Sequence, residues 1–336
     1  MVRSVVRIAP NQYVIDSPDA VKVIYGHGAA FKKSDFYFAA SNPESHVSDL
    51  FSDRDPKTHA QLRRKIASLY SMTNLLKIDA WMHECGNILV ERFKELSRLL
   101  NSLMKHLSRS GIAEFFKLSA AQVHAGKEGK IPEREGFLTR MLQMHQQNES
   151  NMSFLDMMLV CVINLGAGSD NTSIGLTGTM WGLISNPEAM AKVYNYTYGL
   201  DVWLTTRKSL QLRAEIDERT AAGDLSASSP IPYQVARCMP YLQAVIKEGL
   251  RLEGSPGIPL PRVVPQCGAE IAGHFFPGGT VVGVNAYVLH RNKDIFGHDA
   301  EDFNPDRWLG DKEVVSRMDQ HFLAVCHLSK RLTTTS

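Results

Sequence analysis

Cysteine is scarce and unpatterned in this chain of 336 residues. Only five occur, Cys85, Cys161, Cys238, Cys267 and Cys326, and no two form a CxxC. An odd, scattered set excludes a disulfide framework and a zinc knuckle, and it fits a reducing compartment. Long hydrophobic runs are lacking too. The most apolar stretch, Met157 to Leu165, contains Asn164 and is far shorter than the ~20 residues of a spanning helix. The opening MVRSVVRIAP has no long apolar core and is no secretory signal. In that light N-x-S/T triplets such as Asn148 to Ser150 are chance. An excess of one charge is also missing: 37 Lys and Arg face 35 Asp and Glu, a net +2, so nothing points to nucleic acid or an acidic partner.

What is present is an ordinary globular composition, 44% hydrophobic and 21% charged, long enough for a sizeable core in about two domains or one large one. Val5–Ile8 and Tyr13–Ile15 read as short strands around the turn Ala9-Pro10-Asn11-Gln12. Ser17-Pro18 opens a helix with a capping residue and a proline in its first turn. Gly26-His27-Gly28 follows that helix and Phe31 replaces a third glycine, so it is no dinucleotide fingerprint. Asp55-Pro56 opens a second helix with an apolar stripe of Leu62, Ile66 and Leu69, while His59 and Arg63 share another face. Trp81 to Leu96 is a third, with Trp81, Cys85, Ile88, Leu89 and Phe93 on one side. Leu99 to Gln147 has a helical but irregular pattern.

A long helix spans Ser153 to about Ile184, apolar nearly all round from Phe154 to Ile163, which predicts burial on every side. Its centre, Leu165-Gly166-Ala167-Gly168-Ser169-Asp170-Asn171-Thr172-Ser173, is costly, at roughly 1 kcal/mol per glycine relative to alanine. Asn186-Pro187-Glu188 starts another helix, interrupted by aperiodic residues. Excising Val193 to Gln211 brings Met190, Leu212 and Ile216 to i, i+3 and i+7 of one helix, so 193–211 reads as an insertion. Tyr241 to Leu252 is a helix with Leu242, Val245, Ile246 and Leu250 inward and Glu248 and Arg251 on one face. From Pro256 to Asp311 the chain is rich in Pro and Gly, with a strand at Val281–Val284 after the Pro277-Gly278-Gly279 turn. The fold class is mainly α with a minor β region.

Four features occur in order: His59-x-x-x-Arg63; Ala167-Gly168-Ser169-Asp170-Asn171-Thr172; Glu248-x-x-Arg251 followed by Pro261-Arg262-Val263-Val264-Pro265; and Phe303-Asn304-Pro305-Asp306-Arg307-Trp308. Each alone recurs by chance. Together the chain resembles the cytochrome P-450 haem-thiolate monooxygenases, most closely the microsomal type of filamentous fungi, over most of residues 3 to 311. The resemblance implies an incomplete fold of that family over 1–324 as a single domain, with 325–336 a divergent tail.

It also implies roles. Asp170 matches the acid of a proton relay to iron-bound dioxygen and Thr172 the residue after the alcohol, whose own place is taken by Asn171. His59, Arg63 and Arg262 match positions that hold the haem propionates, and Glu248, Arg251 and Arg307 match a buried structural triad in which arginine forks suit a carboxylate. Plainer readings stand beside these: a polar helix-groove residue for Asp170, a solvated run Arg63-Arg64-Lys65, a surface pair for Glu248 and Arg251. The family's loop Phe-x-x-Gly-x-Arg-x-Cys-x-Gly, whose cysteine ligates iron, should follow Ala324. In register Val325 takes the place of its Phe and Leu332 that of its Cys; Cys326 comes six residues early. No metal ligand is therefore expected here, although haem is the family's cofactor. The implied partners are a small apolar organic substrate and a reductase, without a transmembrane anchor, in the cytoplasm or at the face of the endoplasmic reticulum. The expected function is oxygen insertion into a small, secondary-metabolite-like molecule, with this chain a truncated, inactive form. The alternative is a remnant acting as a haem-free binding protein. Excision of 193–211 and the tail after Ala324 suggest retained introns or a frameshift.

Overall fold

β-branched residues around a tight turn build the first hairpin: β1 (Val5–Ala9) pairs antiparallel with β2 (Gln12–Ile15), Val5 opposite Ile15. In this computed structural model the described residues are 4–26, 28–40, 49–99, 120–126, 128, 136–147, 152–185, 207–223, 231–254 and 257–324. After the hairpin come α1 (Pro18–Tyr25), β3 (Lys32–Lys33), α2 (Pro56–Ile66), α3 (Met72–Lys77), α4 (Asp79–Leu99), α5 (Phe137–Gln146) and the long α6 (Phe154–Ile184). Then follow α7 (Arg207–Ala221), α8 (Tyr233–Ala236), α9 (Pro240–Glu253), β4 (Arg262–Val263), β5 (Ala269–Ile271), β6 (His274–Phe276) and β7 (Val281–Gly283). α10 (Ala286–Leu289), α11 (Lys293–Phe296), a 3-10 turn at Pro305–Leu309 and α12 (Lys312–Gln320) close the described chain. The molecule is mainly α with a minor β region.

The chain divides into two compact units, one comprising 1–45, 51–56 and 171–336, the other 46–50 and 57–170. The first holds a five-stranded sheet in the order β1-β2-β7-β4-β3 and the separate hairpin β5-β6. β2 and β7 are parallel, Tyr13 opposite Val282; the other pairs are antiparallel. The β5-β6 turn puts Ala272 and Gly273 at φ 49 and 73, a left-handed pair that costs alanine energy and glycine little. The core of this unit gathers Ile15, Ile24, Val282, Leu289, Phe296, Trp308 and Phe322. The second unit packs Ile66, Leu69, Val123, Met141, Met144, Met157 and Val160 together.

α6 starts on a reciprocal cap. Asp156 N donates to Ser153 Oγ at 3.1 Å and Ser153 N to Asp156 Oδ2 at 3.0 Å. Phe154 to Ile163 are buried or half-buried, but Ala167 to Ile174 are exposed, so the all-round burial stops where the glycines begin. Beyond them one face packs on α9. A Cβ on Gly178 would lie 2.2 Å from Glu253 Cβ, one on Gly182 2.2 Å from the Phe303 ring, and one on Gly249 2.2 Å from Thr179 Oγ1. Gly175 and Gly178 of α6 and Gly249 of α9 thus let two helices approach closely, and Gly182, on the same face of α6, admits the Phe303 ring.

Three readings change. Ile246 is exposed, and the buried face of α9 is Tyr241, Ala244, Val245, Glu248, Gly249, Arg251 and Leu252. The stripe is displaced because two charged residues satisfy each other and take inward positions. In α4, Trp81, Cys85, Ile88 and Leu89 are all exposed, and the side chain of Phe93 lies outside the described residues. Helix α7 begins at Arg207, so the last five residues of the segment 193–211 are helical; 193–206 lie outside the described residues, as does the helix start at Asn186.

Candidate functional site

The best-defined cluster of functional side chains is built on α9. Its N-terminus is fixed from outside: both oxygens of Glu215 on α7 accept from the backbone, Tyr241 N at 3.0 Å and Leu242 N at 2.9 Å. A carboxylate there satisfies orphan donors and complements the helix dipole, while Pro240 needs no partner. Two turns on, Glu248 and Arg251 stand three residues apart on the inward face, both fully buried.

Their geometry is a two-pronged fork. Arg251 Nε donates to Glu248 Oε2 and Arg251 Nη2 to Glu248 Oε1, each at 2.9 Å. Arg307, in the 3-10 turn, donates through Nε to the same Oε1 at 2.9 Å. Trp308 Nε1 donates to Oε2 at 2.9 Å and the backbone N of Asn304 to Oε1 at 2.8 Å. One carboxylate therefore accepts five hydrogen bonds. The rest of Arg251 is spent on carbonyls: Nη1 donates to His290 O at 2.5 Å and Ala300 O at 2.6 Å, Nη2 to Asp302 O at 3.0 Å. Arg307 Nη2 donates to Asp299 O at 2.9 Å, and its Nη1 to Phe296 O and, at 3.1 Å, to Asp299 Oδ1. Burial pulls the Asp299 carboxyl upward, but the Asn304 amide and the Arg307 charge outweigh it and hold its pKa below the usual carboxylate range. Neither Asn304 nor Trp308 was singled out from sequence, although both stand in the quoted stretch Phe303–Trp308; Glu215 carried no signal, since its partners lie 26 and 27 residues away.

The other candidates are placed as follows. Arg262 in β4 lies between two tyrosines, its guanidinium carbon 5.3 Å from the Tyr25 ring centre and 5.2 Å from that of Tyr37, with Nη1 donating to Tyr37 Oη at 2.5 Å. It belongs to the first unit. His59 and Arg63 belong to the second, half-buried one turn apart on α2. Asp170 and Thr172 are both exposed, in the central stretch of α6. Two residues along an α-helix are a rotation of about 200°, so the two side chains leave the helix on nearly opposite sides. A Cβ at Gly166 or Gly168 would meet nothing. Burial pushes the Cys161 thiol up to about 11, a thiol that stays protonated. Cys326 and Leu332 lie outside the described residues.

Among the described residues no group of His, Cys, Asp and Glu could hold a metal ion, and no helix is long and apolar enough to cross a membrane. Each unit carries a guanidinium of the kind that pairs with carboxylates, Arg262 in the first and Arg63 in the second. Cationic side chains such as Arg63 and Arg262 have the chemistry that grips propionate carboxylates, and the described cysteines, Cys85, Cys161, Cys238 and Cys267, are free thiols.

Comparison with known proteins identifies the family. The family model described as Cytochrome P-450 matches residues 96–196 and 204–324, the break falling inside 193–211. A pisatin demethylase of Fusarium vanettenii is 29% identical over 381 aligned positions, covering 92% of this chain and 69% of that protein. Cytochrome P-450 monooxygenases of Aspergillus terreus and Emericella nidulans are 29% and 27% identical, covering 95% and 92% of the chain and 76% and 72% of those proteins. An alignment of 381 positions against 336 residues means that the relative carries segments with no counterpart here. With the family model matching well over half its length, the chain belongs to the cytochrome P-450 family of haem-dependent monooxygenases.

Proposed function

We propose that this chain keeps the scaffold of a fungal-type monooxygenase, evolved for oxygen insertion into a small organic substrate with electrons from a reductase, and does not itself complete that reaction. One observation carries the reading: in register after Ala324, the place of the iron-ligating cysteine is held by Leu332, and Cys326 stands six residues early without flanking glycines. Haem, when bound in this family, supplies the redox centre that activates dioxygen, and its thiolate ligand the electron push. Residues His59, Arg63 and Arg262 suit the propionates; the residues after Ala324 do not suit the iron, and no step is assigned through it. The triad of Glu248, Arg251 and Arg307 has a structural part, tying α9 to the turn at Pro305–Leu309. Asp170 keeps the acid of the proton relay, with Asn171 where the alcohol belongs and Thr172 turned away from Asp170 by the helix.

The substrate class follows the relatives only loosely. Demethylation is named for the Fusarium proteins, and a small molecule bearing a removable methyl group is therefore the first class to offer a restored enzyme.

The test is spectroscopic. The purified chain is titrated with haemin, reduced and exposed to carbon monoxide. The expected result is a spectrum without the red-shifted Soret band of thiolate ligation. Appearance of that band would show that a cysteine of this chain reaches iron and overturn the proposal; its loss in Cys326→Ser would assign it to Cys326. A chain that takes up no haem at all would favour the haem-free binding role. Restoring Phe-x-x-Gly-x-Arg-x-Cys-x-Gly after Ala324 should recover the band. Transcripts read across the codons for Lys192–Leu212 and beyond Ala324 would tell whether 193–211 and the divergent tail arise from retained introns.

A further inference from the structure

His290 follows α10 and is 1% exposed, and the reading above leaves it without a part. Its ring lies between Phe322, stacked at 5.3 Å and 20°, and Phe296, edge-on at 5.8 Å. Both ring nitrogens are engaged. Nδ1 is 2.9 Å from the carbonyl oxygen of Arg251, and Nε2 is 2.9 Å from the backbone N of Leu323. A carbonyl can only accept and a backbone N–H can only donate. Nδ1 must therefore carry the proton and Nε2 must be bare, a neutral ring in a single tautomer. The contact with Arg251 runs both ways, because Arg251 Nη1 donates to the carbonyl of His290 at 2.5 Å. The ring thus joins the buried arginine of the triad to the backbone that leads out of α12.

We propose that His290 is a positioning residue: its bare Nε2 fixes the Leu323 amide against α9, so that the chain leaves Ala324 from one defined place. Leu323 is two residues ahead of where the family's ligand loop begins, so the functional consequence rests on the family reading, while the hydrogen bond itself does not. Packing alone would need only an aromatic ring at this place. The polar arrangement demands more, since one added proton on Nε2 would point a donor at the Leu323 donor. The charged groups around the ring reinforce this. Arg251 on α9 and Arg291 beside it in sequence repel an imidazolium, Glu248 on α9 attracts it, and Phe322, Leu323 and Ala324 contribute no charge. Burial is the largest influence, and with the two arginines it lowers the His290 pKa to about 4.

The full-length chain, labelled with nitrogen-15, allows a direct test by NMR. Long-range nitrogen–proton spectra should show His290 protonated on Nδ1 and unprotonated on Nε2, with no titration between pH 5 and 8. Amide exchange of Leu323 is then compared with that of Val282 in β7, which reports global opening. In His290→Phe, which keeps the ring, Leu323 should exchange about tenfold faster relative to Val282, the size expected for one lost hydrogen bond. His290→Gln, whose side-chain oxygen can accept, should recover part of that protection. A proton on Nε2, titration near the ordinary histidine value, or unchanged Leu323 exchange in His290→Phe would each overturn the proposal. If His290→Phe does not fold, the tautomer and titration of the unaltered chain still decide. None of these readouts needs haem, so the inference stands or falls separately from the proposed loss of the ligand loop.

Discussion

Two charged contacts in this molecule make opposite use of burial. Glu248, Arg251 and Arg307 meet in a dry interior, with both Glu248 and Arg251 at 0% side-chain exposure. Lys65 and Asp156 meet at 3.0 Å near the start of α6, with the lysine 28% and the aspartate 11% exposed. The first cluster surrounds every charged atom with fixed partners; the second joins a flexible ammonium to a carboxylate whose main task is capping a helix. Desolvating an ion is worthwhile only where rigid donors replace water, which is why the buried site uses arginine forks and the half-exposed one makes do with lysine.

The comparison can be broken from its strong end. Glu248→Ala should destabilise the chain by roughly 3–5 kcal/mol in chemical denaturation, because two arginines are left without their acceptor in the interior. A loss below 1 kcal/mol would mean that water reaches the cluster. An effect of the next size comes from acid. His290 is neutral when folded, with a pKa of about 4 against an ordinary 6.5, so the unfolded chain binds more protons between those values and stability falls as pH drops through that window. The linked loss is on the order of 3 kcal/mol. Asp156 and Asp299 act below it. Burial raises Asp156 but the Ser153 bonds and Lys65 outweigh it, and both carboxyls are held low, so their contributions persist above the ordinary aspartate value and vanish as pH falls further. Stability curves from pH 8 to 3 should therefore show a first decline near pH 6, absent in His290→Gln, and a second below pH 4.

Gly182→Ala should cost about 1–3 kcal/mol, since the new methyl group meets the Phe303 ring. Gly168→Ala on the same helix meets nothing and should gain roughly 1 kcal/mol. Opposite signs in thermal melts would establish that one end of α6 is packed and its centre is not. The smallest effect belongs to Lys65→Ala, expected to cost up to about 1 kcal/mol and to shrink in high salt. Asp156→Ala should exceed it, because the cap on Ser153 is lost as well.

By itself the sequence determined the local elements and the family. The short strands around their turn, the proline that starts α1, the start of α6 at Ser153 and the glutamate–arginine spacing are encoded within a few residues, whereas Ser17 ahead of Pro18 makes no side-chain cap. The order of the four motifs was legible for the same reason. What only tertiary structure decided are contacts across long separations. Ile246 reads as core, yet it faces outward because Glu248 and Arg251 hold the inward positions. Gly175 and Gly178 carried no signal in the sequence, yet they admit α9 at close range, and Gly182 admits the Phe303 ring. Glu215 caps a helix 26 residues away, and His290 meets Leu323 across 33 residues. A polar residue's place depends on which partner arrives to replace its water, and that partner is chosen by the fold.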